Sequence, residues 1–532
     1  MQPGERLAVI DLGSNSFRLV VFKAGEGWWR RTDEIYEPVR IGEGMTATDR
    51  LGDKPMERAL ATLDVFAHFC RASGLEADEV DAVATSAIRD AHNAQSFLAR
   101  AHERFELPIR VLSREAEARY GYLAAVNSTT LSDGCVLDLG GGSLQLVRVA
   151  GRLARELGSW PLGTVRMSER FLPANGPAKR KQLQELREHL ANQLQGVSWF
   201  ADAGATAGGG RLVGIGGTVR NLAAAAQRAA GLPSNGVQGM VIERDALAQL
   251  IERLAALPAA ERASVPGVKP ARADLILAGA VVVEAALRVG GYDGLETTEA
   301  GLREGVFFER LITGTGGDNG SPRGYPGSPG GDPAGGPPLF ADVRRVSVLN
   351  MAAQYGVDGE HTRHVAALAL EMFDELARLG LHAGDARERE LLWAASMLHD
   401  VGMSIDYDDH HKHSRYLILN GGLPGFEPVE TAIIAQAARY HRKGMPAPGP
   451  MAPLFGEGDV ERLDRCAVLL RLAEDLERSR DQLVRATSIA LHNGEVQLRL
   501  ITDGESAVPR WAAGRERDLF ARAFHRDLSV AA

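Results

Sequence analysis

Cysteine is scarce in this chain, with three residues (Cys70, Cys135 and Cys466) among 532. No two of them lie close together in sequence, so neither a disulfide framework nor a thiolate zinc site is expected. Long hydrophobic runs are also missing, because the most apolar stretch, 275–289, contains Glu284 and is too short to span a bilayer. The first residues do not have the pattern of a secretory signal sequence. We therefore expect a cytoplasmic protein that binds no membrane.

Basic residues are fewer than acidic ones, with 60 Lys and Arg against 69 Asp and Glu, which gives a formal net charge of −9. This balance argues against a protein whose main partner is nucleic acid or a membrane surface, but it permits a local basic groove for an anionic substrate. Lysine is rare, with seven residues, so arginine supplies most basic groups throughout the chain. An arginine beside a loop therefore does not by itself mark a binding site.

The length of the chain predicts several domains, because 532 residues are too many for one hydrophobic core. Residues 313–338 consist mostly of Gly and Pro, which predicts a flexible linker. Strand and helix signals alternate before this linker, whereas apolar residues recur with helical spacing after it. The predicted domains are two α/β domains at 1–125 and 126–299, with helix 300–312 packing back on the first, a helical domain at 339–480, and a small α+β segment at 481–532.

The α/β part contains an internal repeat. Residues 7–22 align with residues 134–149, which places Asp11 over Asp138 and Arg18 over Gln145. In each copy a strand ends at an acidic residue, a tight turn of small residues follows, and a second strand begins. A duplicated α/β unit with one phosphate-binding hairpin in each half explains this pattern.

Three loops that follow strand-like runs share one chemistry. Glycine lets the backbone come close to a ligand, and backbone N–H groups and Ser or Thr hydroxyls donate to phosphate oxygens. Aspartates at the strand ends are suited to hold a divalent cation or to position water. One such loop is usually an ordinary turn, but three with the same pattern favour a phosphate site. The predicted phosphate-binding residues are Asp11, Gly13, Ser14, Asn15 and Ser16, then Gly140, Gly141, Gly142 and Ser143, and finally Gly216, Gly217 and Thr218.

At these loops and at further motifs, the chain resembles the Ppx/GppA family of exopolyphosphatases and guanosine pentaphosphate phosphohydrolases. The resemblance covers nearly all of the chain. It implies two ribonuclease H-like domains around a cleft, as in actin, sugar kinases and chaperone ATPases. The motifs that carry it are DLGSNS (11–16), ATSAIRDAHN (84–93), SREAEARYGY (113–122), DLGGGS (138–143), PLGTVRM (161–167), GIGGT (214–218), ARADLILAG (271–279) and GLREGVFFERL (301–311).

The resemblance also implies roles for single residues. Glu117 matches the family's general base, which would deprotonate the attacking water. Asp138 matches the acid associated with Mg²⁺ or Mn²⁺, and Arg89 matches an arginine that could neutralise charge in the transition state. Without the resemblance, Glu117 would be read as a solvated helix charge and Arg89 as part of a structural salt bridge. Gln145 occupies a metal-associated position where the family usually has glutamate, which puts metal binding there in doubt.

Histidine is concentrated in the helical part, where eight of the 14 lie between His361 and His441. The order His361, His399-Asp400 and Asp475 resembles the HD phosphohydrolase pattern. It implies an HD-like domain with a second divalent metal on two histidines and two carboxylates. The alternative is a helical bundle whose histidines are hydrogen-bonded in the core or contact polyphosphate. Neighbouring histidines that could contact a further metal or an anion are His410, His411 and His413.

We expect an exopolyphosphatase that removes terminal phosphate from inorganic polyphosphate by Mg²⁺-assisted attack of water, and the family implies a homodimer. Guanosine pentaphosphate is the alternative substrate, because both molecules end in a phosphoanhydride that the loops cannot distinguish. The lost charge at Gln145 also leaves open a non-catalytic sensor of polyphosphate or nucleotide. An ATP-using sugar kinase or chaperone fits less well, since the SREAEAR motif and the histidine-rich part have no place there.

Overall fold

The computed structural model describes residues 1–105, 107–204, 210–313 and 337–531. Most of the predicted linker at 313–338 therefore lies outside the described residues. The chain divides into two compact units, Met1–Val343 and Arg344–Ala532. The predicted fold class is confirmed, with α/β sheets in the first unit and a largely helical second unit. The finer domain boundaries and the HD-like assignment stay predictions.

The first half of the first unit is a five-stranded sheet with helices. Its strands are β1 (Arg6–Leu12), β2 (Phe17–Gly25), β3 (Trp28–Glu37), β4 (Val80–Ala84) and β5 (Ile109–Val111). The helices in this stretch of the chain are α1 (Met45–Thr48), α2 (Asp53–Ala72), α3 (Ser86–Asp90), α4 (Ala94–Phe105) and α5 (Arg114–Val126).

The second half of this unit has a six-stranded sheet. Its strands are β6 (Gly134–Leu139), β7 (Leu144–Ala150), β8 (Leu153–Trp160), β9 (Arg211–Ile215), β10 (Val241–Glu243) and β11 (Gly294–Thr297). Its helices are α6 (Thr164–Phe171), α7 (Arg180–Leu194), α8 (Ser198–Gly204), α9 (Gly217–Ala229), α10 (Arg244–Ala255) and α11 (Ile276–Gly290), and α5 also contacts this sheet at β6, β7, β8 and β9. The following helix, α12 (Leu302–Thr313), contacts β1 of the first sheet and α5.

The two sheets repeat one topology. The first has the order β3-β2-β1-β4-β5, and the second has β8-β7-β6-β9-β11-β10. In each, the first three strands are antiparallel and the central strand pairs in parallel with the strand beyond it. The central strands β1 and β6 are almost continuously buried, as expected where helices cover both faces of a sheet. The ends of these strands, Asp11 and Asp138, therefore occupy equivalent places.

Local sequence explains how two helices of the first unit are placed. Helix α5 begins at a cap in which the Ala116 amide donates to the Ser113 side chain at 3.1 Å, and this fixes the first turn that carries Glu117. Helix α11 is apolar on nearly all sides and almost entirely buried, so it lies inside the second half rather than on its surface. It ends at Gly291, whose φ of 70° is a left-handed cap.

The second unit is a helical bundle with a small sheet. Its helices are α13 (Val343–Gln354), α14 (Gly359–Arg378), α15 (Ala386–Leu398), α16 (His410–Gly421), α17 (Pro428–Arg439), α18 (Asp459–Leu476), α19 (Ala507–Ala513) and α20 (Arg517–Phe524). Its strands are β12 (Val484–His492), β13 (Glu495–Thr502) and β14 (Leu528–Ala531), in that order across the sheet. The β12–β13 connection is a tight hairpin turn at Asn493-Gly494. Within the described ranges, no helix is long and apolar enough to cross a membrane.

Candidate active site

A cavity of about 110 Å³ lies in the first unit where the three predicted loops come together. The predicted residues that line it are Asp11, Gly13, Ser14, Asn15, Ser16, Glu117, Asp138, Gly140, Gly141, Gly216 and Gly217. The remaining predicted residues of this site stand around the cavity without lining it, namely Arg89, Gly142, Ser143, Gln145 and Thr218. The structure therefore gathers residues that are separated by more than two hundred positions in sequence, from Asp11 to Gly217.

The first two loops are the turns of equivalent hairpins. The Gly13 amide donates to the Ser16 carbonyl at 3.2 Å, and the Gly140 amide donates to the Ser143 carbonyl at 3.0 Å. Asp11 lies opposite Arg18 in the first hairpin, and Asp138 lies opposite Gln145 in the second. These pairings are the ones that the sequence alignment of the repeat predicts.

Close contact between the two turns depends on glycine. A Cβ atom on Gly142 would lie 2.5 Å from the Ser86 Oγ and 2.7 Å from the Ser14 Oγ, so that no larger residue fits there without displacement. The two hydroxyls are themselves 3.0 Å apart. Asn15 is 5% exposed, and neither polar atom of its side chain has a hydrogen-bond partner in the described part of the chain. Buried polar atoms of this kind usually bind a ligand or water.

Glu117 is buried, with 5% exposure, so it is not a solvated helix charge. The Arg89 guanidinium donates to its Oε2 at 2.6 Å, and the Ser143 hydroxyl donates to its Oε1 at 3.2 Å. Burial raises the pKa of Glu117, and Arg89 opposes that shift. Arg89 also donates to the Leu112 carbonyl at 3.1 Å. Arg89 is not among the residues that line the cavity, and its role in neutralising charge in the transition state stays a prediction.

Three carboxyl groups, those of Asp11, Glu117 and Asp138, line the same small cavity. The pKa of Asp138 is raised to about 7, first by burial and then by the charges of Glu117 and Asp11. Burial also raises the pKa of Asp11, whereas Arg303, at 3.3 Å from its Oδ2, opposes the shift. Carboxylates that repel one another in a buried place are suited to share a cation, and oxygen ligands are those that Mg²⁺ and Mn²⁺ prefer.

Four arginines in the cavity lining were not assigned from the sequence, namely Arg18, Arg220, Arg272 and Arg303. The pKa values of Arg18 and Arg220 are lowered to about 10, in each case mainly by burial and then by the charge of Arg303. Guanidinium groups that are buried and repel one another are stabilised by an anion between them. Arg272 and Arg303 lie inside two of the shared motifs, and Arg220 follows a third. These motif positions could have identified the arginines, because the abundance of arginine in this chain gives no information about a site.

Gln145 is almost fully buried, and its Nε2 donates to the Ser143 Oγ at 2.8 Å. The Ser143 hydroxyl is therefore free to direct its own hydrogen towards Glu117. The Gln145 Oε1 has no hydrogen-bond partner among the described residues. Gln145 is linked to the cavity by hydrogen bonds, first to Ser143 and from there to Glu117. Its assignment as a weakened metal position stays a prediction.

In the second unit, the structure brings together three of the four predicted metal ligands. Ligand atoms of His361, His399 and Asp400 lie within 4.8 Å of one another. The prediction of Asp475 is corrected by the neighbouring Glu474, whose Oε2 lies 3.0 Å from the His361 Nε2 and 3.2 Å from the His399 Nε2. Successive residues of a helix point about 100° apart. Only one of these two acids can therefore face the histidines, while Asp475 pairs with Arg478.

Comparisons with known proteins found family matches in both units of the chain. A model of the Ppx/GppA phosphatase family matches residues 20–313, and a model of Ppx/GppA phosphatase domain III matches residues 343–506. The crystal structure of a Ppx/GppA family member from Aquifex aeolicus is 30% identical, with 59% of this chain and 99% of that chain covered and a TM-score of 0.50. An exopolyphosphatase from Cytophaga hutchinsonii is 21% identical over 59% of this chain and 99% of its own, with a TM-score of 0.53. At that identity the second likeness concerns the fold alone.

Proposed function

The chain belongs to the Ppx/GppA phosphatase family, and from this premise we propose that it is an exopolyphosphatase, which hydrolyses the terminal phosphate of inorganic polyphosphate. The observation that carries the proposal is the joint lining of one small cavity by four arginines and three carboxyl groups. Arginines of this kind suit the dense charge of a polyphosphate end, whereas the carboxyl groups suit a cation and a proton acceptor.

Phosphate binding is assigned to the two hairpin turns and the Gly216–Thr218 loop. Backbone amides at glycine come close to phosphate oxygens, and the hydroxyls of Ser14 and Ser86 together with the Asn15 amide supply further donors. Arg18 and Arg303 neutralise the charge of the bound phosphates. The lowered pKa values of Arg18 and Arg220 reflect the cost of burying these positive charges, and a bound anion would reduce that cost.

Glu117 is assigned as the general base that takes a proton from the attacking water. Its raised pKa makes it a better proton acceptor than an exposed glutamate. Arg89 and Ser143 hold its two carboxylate oxygens, so they fix the direction in which the base faces. Arg89 is thus a positioning residue for the base.

Asp138 is assigned to hold a divalent cation, Mg²⁺ or Mn²⁺, whereas Asp11 mainly balances the charges of Arg18 and Arg303. The oxygen donors and their crowding fit such an ion. When bound, the cation supplies charge stabilisation on phosphate oxygens. Because its pKa is raised to about 7, a large fraction of Asp138 is protonated at neutral pH without a cation. Cation binding would therefore release this proton. The homodimer implied by the family stays a prediction.

Guanosine pentaphosphate is the second candidate substrate, and one observation favours it. A second cavity of about 420 Å³ shares Asn15 with the first, and its charged lining residues are Arg40, Glu43, Glu169 and Asp274. Arg40 pairs with Asp274 at 2.8 Å. Guanine presents N–H donors that carboxylates accept. The base of a nucleotide could therefore occupy this cavity while its phosphates reach the hairpins.

The test is orthophosphate release from long-chain polyphosphate and from guanosine pentaphosphate, measured side by side with Mg²⁺ present. An Asp138→Asn preparation, purified in the same way, controls for contaminating phosphatases. Faster release from polyphosphate is the expected result. Release only from the pentaphosphate would show that guanosine pentaphosphate, and not polyphosphate, is the substrate. Binding of either substrate without release would overturn the hydrolase proposal in favour of a sensor.

A further inference from the structure

A series of charged side chains leads from Glu117 to helix α6. The Arg89 guanidinium donates to the Glu117 Oε2 at 2.6 Å, and the Arg89 Nε lies 3.4 Å from the Asp90 Oδ1. The other oxygen of Asp90 accepts a hydrogen bond from Arg166 at 2.9 Å. Arg89 and Asp90 end α3, which follows β4 of the first sheet, whereas Arg166 belongs to α6, which follows β8 of the second. The series therefore links Glu117 to a group from the other half of the first unit.

Asp90 interacts with three arginines in places of different exposure. The side chains of Arg89, Asp90 and Arg166 are between 14% and 23% exposed, so solvent and salt screen their charges only in part. The third arginine, Arg114, has a side chain that is 55% exposed and lies 3.9 Å from the Asp90 Oδ1. Arg166 is thus closer to Asp90 than Arg114 is, and it is the stronger counter-charge for this carboxylate.

Arg89 is shared between two carboxylates. Its Nη1 donates to Glu117 and to the Leu112 carbonyl, but its buried Nε has no hydrogen-bond partner in the described part of the chain. This Nε faces Asp90 at a distance just beyond that of an ordinary hydrogen bond. A small movement of the guanidinium would complete a bond to Asp90 at the expense of the bond to Glu117. The charge that Arg166 brings to Asp90 weakens this competition.

Helix α6 is fixed to the turn of the second hairpin, which gives Arg166 a defined position. The amides of Thr164 and Val165, in the first turn of α6, donate to the carbonyls of Gly140 and Gly141 at 3.0 Å and 2.8 Å. The second of the turns assigned to phosphate and the arginine that reaches α3 are therefore parts of one hydrogen-bonded assembly.

We propose that Asp90 and Arg166 are positioning residues for the hydrolytic reaction. Together they set how firmly Arg89 holds Glu117, because Arg166 takes up the charge of Asp90 and leaves Arg89 to the base. Since Arg166 comes from the half that carries the second phosphate-binding turn, the base is oriented by contact between the two halves. This inference rests on the function proposed above, and in particular on Glu117 as the base.

The two residues have opposite expected effects on the pH dependence of kcat. In Arg166→Gln the full charge of Asp90 competes for Arg89, so the pKa of Glu117 rises and the acid limb of the profile moves to higher pH. In Asp90→Asn the competing charge is absent, so the limb moves to lower pH. Each shift should be about 0.5 pH unit, since these charges act on Glu117 through Arg89. A variant that is merely less stable loses rate without these opposite shifts.

The test measures orthophosphate release from whichever of the two candidate substrates is hydrolysed faster, across the acid limb and with saturating Mg²⁺. The other carboxyl groups that interact with Glu117 are those of Asp11 and Asp138, and both are unchanged in every variant. Saturating cation keeps Asp138 ionised. In Arg166→Gln, kcat should fall by roughly threefold to tenfold with KM within about twofold, because the direction of the base changes and substrate binding does not.

Two further variants serve as controls. Arg166→Lys keeps the positive charge and should restore most of the rate and the wild-type position of the limb. Arg170→Gln removes an exposed arginine one turn further along α6, which contacts the Phe171 ring, and should leave the rate and the limb unchanged. An Arg170→Gln variant that behaves like Arg166→Gln would show a general effect of charge on this helix and would overturn the proposal.

The outcomes separate this proposal from the function on which it rests. No release from either substrate, or full activity in Glu117→Gln, would remove the base and the positioning residues together. Activity that is lost in Glu117→Gln, with the limb unmoved in Arg166→Gln and Asp90→Asn, would overturn the positioning role alone. Should circular dichroism show that Arg166→Gln is unfolded, Asp90→Asn still decides, because a limb that stays in place or moves to higher pH contradicts the proposal.

Discussion

The two hairpins of the first unit have the same backbone arrangement, but the charges that surround their aspartates differ. Asp11, in the first, lies across from Arg18 and 3.3 Å from the Arg303 guanidinium. Asp138, in the second, lies across from the neutral Gln145, and its pKa is raised to about 7. After burial, the charges that most affect the pKa of Asp138 are those of Glu117 and Asp11, which raise it, and Arg220 opposes them. We propose that this difference divides a duplicated loop between two tasks, with anion binding in the first copy and cation binding in the second.

The largest expected effect separates the two aspartates. Asp138→Asn should lower kcat for phosphate release by roughly 10³-fold, because a divalent cation contributes several kcal/mol of charge stabilisation. Asp11→Asn should lower it by only about tenfold, since that carboxyl mainly balances Arg18 and Arg303. Steady-state rates with saturating Mg²⁺ check both values. Equal losses in the two variants would break the distinction between the hairpins.

Protonation of Asp138 gives an effect on stability. Its folded pKa of about 7 lies above the value of about 3.9 in an unfolded chain, so between these values the folded state holds an extra proton. The resulting stabilisation is complete below about pH 4 and is lost as the pH rises through about 7. Without divalent cations, the wild type should therefore lose roughly 1–3 kcal/mol relative to Asp138→Asn between about pH 5 and about pH 8.

Chemical denaturation of both proteins at the two pH values measures this difference. Millimolar Mg²⁺ should reduce it, because the bound cation favours the ionised carboxyl. A wild type that gains stability relative to Asp138→Asn as the pH rises would show that the carboxyl is ionised throughout.

The smallest effect concerns Gln145→Glu, which makes the second hairpin more acidic still. The new carboxylate would accept the hydrogen of the Ser143 hydroxyl, which now donates to Glu117 at 3.2 Å. Glu117 would lose a stabilising hydrogen bond, so the acid limb of the pH–rate profile should shift to higher pH while Mg²⁺ affinity increases up to about tenfold. Unchanged pH and Mg²⁺ profiles would show that Gln145 is a neutral replacement.

The repeat explains why much of this site was predictable from sequence. Asp11 and Asp138 end equivalent central strands, so the same local pattern marks both turns and the topology then brings them together. Glu117 could be selected only through its motif, because an isolated glutamate between arginines has the pattern of an exposed helix face. Its burial depends on how α5 packs, which local sequence does not determine.

The arginines and Glu474 show what local sequence cannot resolve. Arg272 and Arg303 reach the cavity from segments far from the hairpins, and only the tertiary fold places them there. Glu474 and Asp475 are adjacent acids, and the rotation of α18 alone decides which of them faces the histidines. A difference of one residue in helix phase is smaller than the accuracy with which a pattern locates a helix.

The most direct measurement of the central claim compares two glutamates in the first turn of α5. Glu117 is buried at the cavity, whereas Glu115, two residues earlier, is exposed. Glu117→Gln should lower orthophosphate release from polyphosphate by roughly 10²–10⁴-fold with substrate binding retained, and Glu115→Gln should leave it within about twofold. Full activity in Glu117→Gln would contradict the assignment of this cavity as the site of hydrolysis.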